Sequence, residues 1–135
     1  MSTWEDDLVT RVTAADSIRT LGVEDEVGWV ERRKAGRLPA ITLQKIAPGR
    51  DYNHGGANAQ QEPRVQFNIW GTSPAQVERI EAALIALLAA AATVGSTSFG
   101  RAFLEGSPDL PPDDLAGGGR AFRRAPDFTL WHEPA

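Results

Sequence analysis

The side chains able to do chemistry are few and scattered. His54 lies in the run Asp51-Tyr52-Asn53-His54-Gly55-Gly56, and His132 stands in the last strand-like stretch. With Asp51 they offer two imidazoles and a carboxylate, the donors of a zinc site or of a general base with its orienting acid. No pair of them has a recurrent ligand spacing. Cysteine is absent, which removes a disulfide scaffold, thiolate metal ligation and a cysteine nucleophile together. Gly55-Gly56 is followed by neither a lysine nor a helix opening, so it is a poor phosphate cradle. Ser96 and Ser98 lack the strand-turn-helix context of a nucleophile elbow. No catalytic constellation emerges, and neither a cofactor nor a metal is expected.

Other residues point to contact rather than conversion. Arg64-Val-Gln-Phe-Asn-Ile-Trp70 alternates cleanly, with Val65, Phe67 and Ile69 on one face and Arg64, Gln66, Asn68 and Trp70 on the other. If helices cover the Phe67 face, Trp70 is left for a partner or a neighbouring arm, and aromatic residues are enriched in interface cores. Arg64, Gln66 and Trp70, with Tyr52, are therefore the candidate subunit contact. Asp113 and Asp114 sit in Ser107–Gly119, a stretch of three prolines, three aspartates and three glycines. That composition predicts an exposed, mobile loop.

These residues must be positioned by a small domain. The chain has 135 residues, 41% hydrophobic and 24% charged, which predicts one globular domain with its own core. A net charge of −4 and a pI near 5.1 argue against wrapping nucleic acid through its phosphates. The longest uncharged apolar stretch, 82–94, is shorter than the roughly 20 residues of a membrane span. Glu5, Asp6 and Asp7 give the N-terminal segment the wrong charge for a signal peptide. No membrane partner is expected, and synthesis and folding in the cytoplasm follow as the default.

Leu8, Val9, Val12, Ala15, Ile18 and Leu21 recur at helical spacing, predicting a helix over 3–21 capped by Ser2 or Thr3 and stopped at Gly22. Short strands are predicted at 27–30 and 39–46, with a charged connection over 31–37 between them. Residues 48–63 read as a long loop or extended hairpin arm. Ser73, Pro74 and Gln76 form a strong helix start, with a capping box and proline at the first helical position. The apolar repeat that follows predicts a helix over 74–92, so widely apolar near its end that it needs cover on several sides. Strands are predicted within 94–106 and at 127–131, with Pro126 at a bulge or an edge. The order α-β-β-β-α-β-β is that of an α+β domain: an antiparallel sheet of four to five strands with two helices on one face, and exposed loops near 48–63 and 107–119.

A family resemblance joins several of these runs. Leu38-Pro39-Ala-Ile-Thr-Leu-Gln-Lys-Ile46, Arg50-Asp51-Tyr52, Arg64-Val-Gln-Phe-Asn-Ile-Trp70-Gly71, the helix from Ser73 to Leu88 and Asp127-Phe128-Thr-Leu-Trp131-His132 follow one another. In that order and spacing they resemble the tail terminator (tail completion) proteins of long-tailed bacteriophages and related gene-transfer particles, over roughly residues 5–133. The resemblance implies a structural, non-enzymatic particle protein located at the head-tail junction. Copies would form a ring, usually of six, that caps the head-proximal end of the tail tube, ends its polymerisation and meets the head-side connector. DNA would pass through the lumen without sequence-specific binding, helped by like-charge repulsion from an acidic ring. The partners implied are further copies of the chain, the tail-tube protein and a connector or stopper protein, with Asp113 and Asp114 the candidates for facing the DNA channel or the connector. Two other readings stand beside it: a head-tail connector or stopper subunit, and a small enzyme or ligand-binding domain using Asp51, His54 and His132.

Overall fold

In a computed structural model of the chain, the described residues are 3–23, 26–30, 38–47, 52–53, 56–57, 61–114 and 119–135. Helix α1 spans Trp4–Ala14; Thr3 caps it, its hydroxyl accepting from the Asp6 amide at 3.2 Å. Glu5, Asp6 and Asp7 occupy the first turn, where the helix dipole favours negative charge. The single helix expected over 3–21 is in fact two. Ala15 is extended (φ −70°, ψ 123°), and α2 restarts over Asp16–Arg19. Asp16 and Ser17 favour a first turn over a helix interior because their side chains compete for nearby backbone amides. Gly22, at φ +94°, ends the unit in a conformation that only glycine adopts freely.

The sheet elements are β1 (Val27–Trp29), β2 (Ala40–Ala47), β3 (Tyr52–Asn53), β4 (Gly56–Ala57), β5 (Arg64–Gly71), β6 (Ala92–Val94), β7 (Thr97–Phe99), β8 (Phe103–Gly106), β9 (Asp109–Asp114), β10 (Arg120–Arg124), β11 (Asp127–Thr129) and β12 (His132–Pro134). Helix α3 spans Pro74–Leu88, between β5 and β6. Ser73 accepts from the Gln76 amide at 3.2 Å, while the Gln76 side chain accepts from the Thr72 amide at 2.7 Å, so the box closes one residue further back than expected.

Strand β5 is the centre of a seven-stranded sheet. Strand β2 pairs along its whole length on one side, and β10 and β11 share the other side end to end. Pro126 separates those two, its carbonyl accepting from the Phe67 amide at 2.8 Å, the strand break expected of a proline. In the same way β9 pairs β10 and β8 pairs β11. The seven strands thus lie in five rows: β1, β2, β5, β10 with β11, and β9 with β8. Strands β6, β7 and β12 form a second, three-stranded sheet, and β3 and β4 a two-stranded hairpin.

The inward alternation of β5 meets Ile41 and Leu43 of β2, Phe128 of β11 and the helix residues Leu8, Val12, Val77, Ile80, Leu84 and Leu88 in one core. Phe67 and Phe128 pack edge to face at 5.4 Å, a preferred aromatic geometry. Both long helices contribute to that one core, as the α+β reading requires.

Three expectations are corrected. The main sheet has seven strands, more than the four to five expected, and is not wholly antiparallel, because β1 runs parallel to β2. Helix α3 stops at Leu88, short of the expected residue 92, and Ala82, Ala86, Ala89 and Ala90 are exposed in the single chain. Residues 109–114 of the expected mobile loop form strand β9, exposed at Pro111–Asp113. Proline is tolerated there because β9 is an edge strand whose outer amides need no partner.

Candidate functional site

The face of the sheet turned away from the helices is polar and cross-linked. Asn68 is buried on it, and its side-chain oxygen accepts from Arg123 at 2.7 Å and from Gln66 at 3.3 Å. Arg123 lies opposite Trp70 in the β5–β10 ladder, with its guanidinium 4.9 Å from the indole centroid. Arg64 meets Asp127 at 2.5 Å, and Asp127 is 7% exposed. Alternation alone therefore brings Arg64, Gln66 and Trp70 onto one face. Asn68, Arg123 and Asp127 complete it; they escaped the sequence reading because the β10 and β11 pairings are non-local. Arg64 is exposed, while Gln66 and Trp70 are half-buried.

The other candidates lie apart. Tyr52 is in the β3–β4 hairpin, its backbone paired with Ala57; its side chain is outside the described residues. Asp113 is exposed on β9, paired by backbone with Ala121, and Asp114 pairs with Arg120. Asp51 and His54 lie outside the described residues. Among the described residues no three His, Cys, Asp or Glu side chains converge as a metal site would require.

His132 is a packing residue. It is 6% exposed, stacked on Trp4 with centroids 4.5 Å apart, and close to Phe99. Burial holds its pKa below the ordinary value of 6.5. Trp29 meets Trp4 edge to face at 5.7 Å and donates its indole N–H to the Glu5 carbonyl at 3.0 Å. This cluster fixes α1 against β1 and β12.

A second joint sets the position of β8. Arg11, 6% exposed, donates to the carbonyls of Leu87 at 2.8 Å and Ala90 at 2.6 Å, at the C-terminal end of α3. Its guanidinium also lies 5.5 Å from the Phe99 ring centroid. The Leu88 carbonyl accepts from the Ala102 amide at 2.9 Å. Carbonyls that a helix end leaves unpaired are thereby satisfied, and the chain entering β8 hangs from the same turn. Opposite, Arg124 bridges Asp109 at 2.8 Å and Glu81 at 3.1 Å, and the Asp109 hydrogen bond raises the Arg124 pKa. That pair ties β9 and β10 to α3.

No family model and no curated protein matches the chain. Solved structures do. One match is a chain in the virion of a native gene transfer agent particle, aligned over 96% of this chain and 92% of that one, with a TM-score of 0.57 and 13% identity. The two chains share a fold. No helix among the described residues is long and apolar enough to cross a membrane.

Proposed function

We propose that the chain is a structural protein of a phage-like particle, and within it the tail terminator. Copies close into a ring, of six in this reading, on the head-proximal end of the tail tube, where they stop polymerisation and join the tail to the head-side connector. The observation that carries the reading is the near-full-length likeness to a gene transfer agent virion chain, and it agrees with the ordered sequence resemblance over residues 5–133. The role calls for no chemistry. His132, the one described imidazole, is buried in aromatic packing, and the polar face is cross-linked by the Arg123–Asn68 and Arg64–Asp127 contacts.

In this reading Arg64, Gln66, Trp70 and Tyr52 lie toward a subunit contact. Asp113 and Asp114 face the DNA channel or the connector, where acidic side chains keep the passing phosphates from sticking. The protein is assembled in the bacterial cytoplasm and ends in the particle at the head-tail junction.

Deleting its reading frame tests the proposal. Particles made without it should show tails of uncontrolled length or tails without heads; normal particles refute it. Binding the purified tail-tube protein, and not the connector ring, separates a terminator from a connector or stopper subunit. Reversal of Asp113 and Asp114 to lysine should reduce DNA delivery, and undiminished delivery removes those two residues from the channel.

A further inference from the structure

Seven polar or charged side chains are buried among the described residues, and four of them, Asp7, Arg11, Thr97 and His132, meet in one place. That place is the joint between α1 and the second sheet, made of β6, β7 and β12. Trp4, Asp7 and Arg11 stand three and four residues apart on one face of α1. Trp4 stacks on His132 of β12, the two rings inclined by 22°. The Asp7 carboxylate accepts from the Thr97 hydroxyl of β7 at 2.6 Å, and Arg11 lies over Phe99. Apolar packing adds little to this attachment. To the buried apolar core the second sheet contributes Phe99 alone, whereas Leu8 and Val12 of α1 are both part of it.

In that joint the His132 ring has no support for a proton. Its Nε2 is buried without a hydrogen-bond partner. Its backbone is held on both sides, by the ladder to Phe99 and by reciprocal bonds with Gln61 at 2.8 and 2.9 Å. The charged groups around it are either cations or committed acids. Lys45 of β2 lies over the Trp4 ring, its ammonium 5.6 Å from the centroid, and Arg11 lies over Phe99 at 5.5 Å. Of the acids on α1, Glu5 is 4.0 Å from Lys45, Asp7 holds Thr97 and Asp6 is exposed. Strands β1, β6 and β7 bring no charged residue, and Glu133 of β12 and Glu62, beside Gln61, are exposed. Burial is accordingly what holds the His132 pKa down. Charging a buried imidazole that has no acceptor is costly, and rehydrating it removes that cost.

We propose that this joint is an acid-opened clasp: protonation of His132 parts α1 from the second sheet and frees β6, β7 and β12 while the seven-stranded sheet stays formed. The clasp does not depend on the particle role. Arg11 couples it to α3, because the guanidinium over Phe99 also closes the end of that helix on Leu87 and Ala90; a parted joint frays that turn as well. Above pH 6.5 the imidazole is neutral in the closed and the open form alike, and the clasp is shut. Below 6.5 the open form takes up a proton that the closed form refuses. The open fraction then rises by up to about tenfold per pH unit, until the closed-state pKa is reached.

Site-resolved amide hydrogen exchange on the full chain, followed from about pH 7.5 to about pH 5 and repeated in sub-denaturing urea, tests it. The amides to follow are those of Gln61, Gly100 and His132, bonded to the carbonyls of His132, Trp131 and Gln61, against that of Phe67 in β5, bonded to Pro126. After correction for intrinsic exchange, the first three should lose protection by up to about tenfold per pH unit below 6.5 and hold level above it. Their urea dependence should stay well under that of Phe67, since a local opening exposes less surface than global unfolding. His132→Phe keeps a ring against Trp4 and removes the titration, so it should abolish the acid slope at Gln61 and Gly100. Should that variant not fold, the urea dependence of the wild-type amides and an NMR titration of the His132 ring still decide. Three results overturn the clasp: the three amides matching Phe67 in rate and urea dependence at every pH, a His132 ring titrating at or above 6.5, or an acid slope that persists in folded His132→Phe.

Discussion

Arg11→Met removes the charge that closes the end of α3 while keeping most of the side-chain volume. The guanidinium makes two hydrogen bonds to carbonyls, at 2.8 and 2.6 Å, and bonds of that charged kind contribute about 1.5–3 kcal/mol each. A cation at a helix C-terminus adds up to about 2 kcal/mol in a partly buried setting. Against this stands the cost of burying the group, visible in the downward shift of the Arg11 pKa by desolvation. Methionine also leaves the Leu87 and Ala90 carbonyls without their donor. The balance is a loss of about 3 kcal/mol. For a domain of this size that lowers the melting temperature by about 10 °C. Circular dichroism melts and urea titrations followed by tryptophan fluorescence measure it, with Arg79→Met, on the exposed side of α3, as the control expected within about 0.5 kcal/mol of the parent. An Arg11→Met protein melting within a degree of the parent would refute the reasoning, since it would mean that the end of α3 needs no cation.

Three further outcomes are expected. The folded-state pKa of His132 is depressed, so above 6.5 neither state gains a proton and stability is full; as the pH falls below 6.5 the unfolded chain protonates first and stability drops, by at most about 1.4 kcal/mol per pH unit. His132→Leu should flatten that part of the stability-pH curve in urea titrations, and an unchanged slope would assign it to other groups. Trp70→Ala removes the half-buried platform under Arg123 and should cost about 1–2 kcal/mol while weakening assembly; a chain that no longer folds would place Trp70 in the core. Gly71→Ala sets a methyl 2.8 Å from Val77 Cγ2 and from Gln76 Oε1, so thermal melts should show a loss of about 1–3 kcal/mol, and a neutral result would show that the start of α3 can shift.

What the sequence determined by itself is local. Thr3 and Ser73 cap helices because a hydroxyl and the orphan amides it satisfies lie within three residues of each other, and the β5 alternation divides core from surface in one strand. Those signals placed Arg64, Gln66 and Trp70 on one face before any partner strand was known. The tertiary structure decided what depends on pairing across distance. The Pro- and Asp-rich segment 109–114 is a strand only because β10 offers it an inner edge, and β1 is parallel only because of where its chain returns to β2. Asn68, Arg123 and Asp127 join the polar face through registers set between residues far apart in sequence. The burial of His132 against Trp4 is likewise decided by a contact across the fold, and no pattern within either segment encodes it, since a packed histidine and a solvent-facing one differ only in the neighbours that the fold brings.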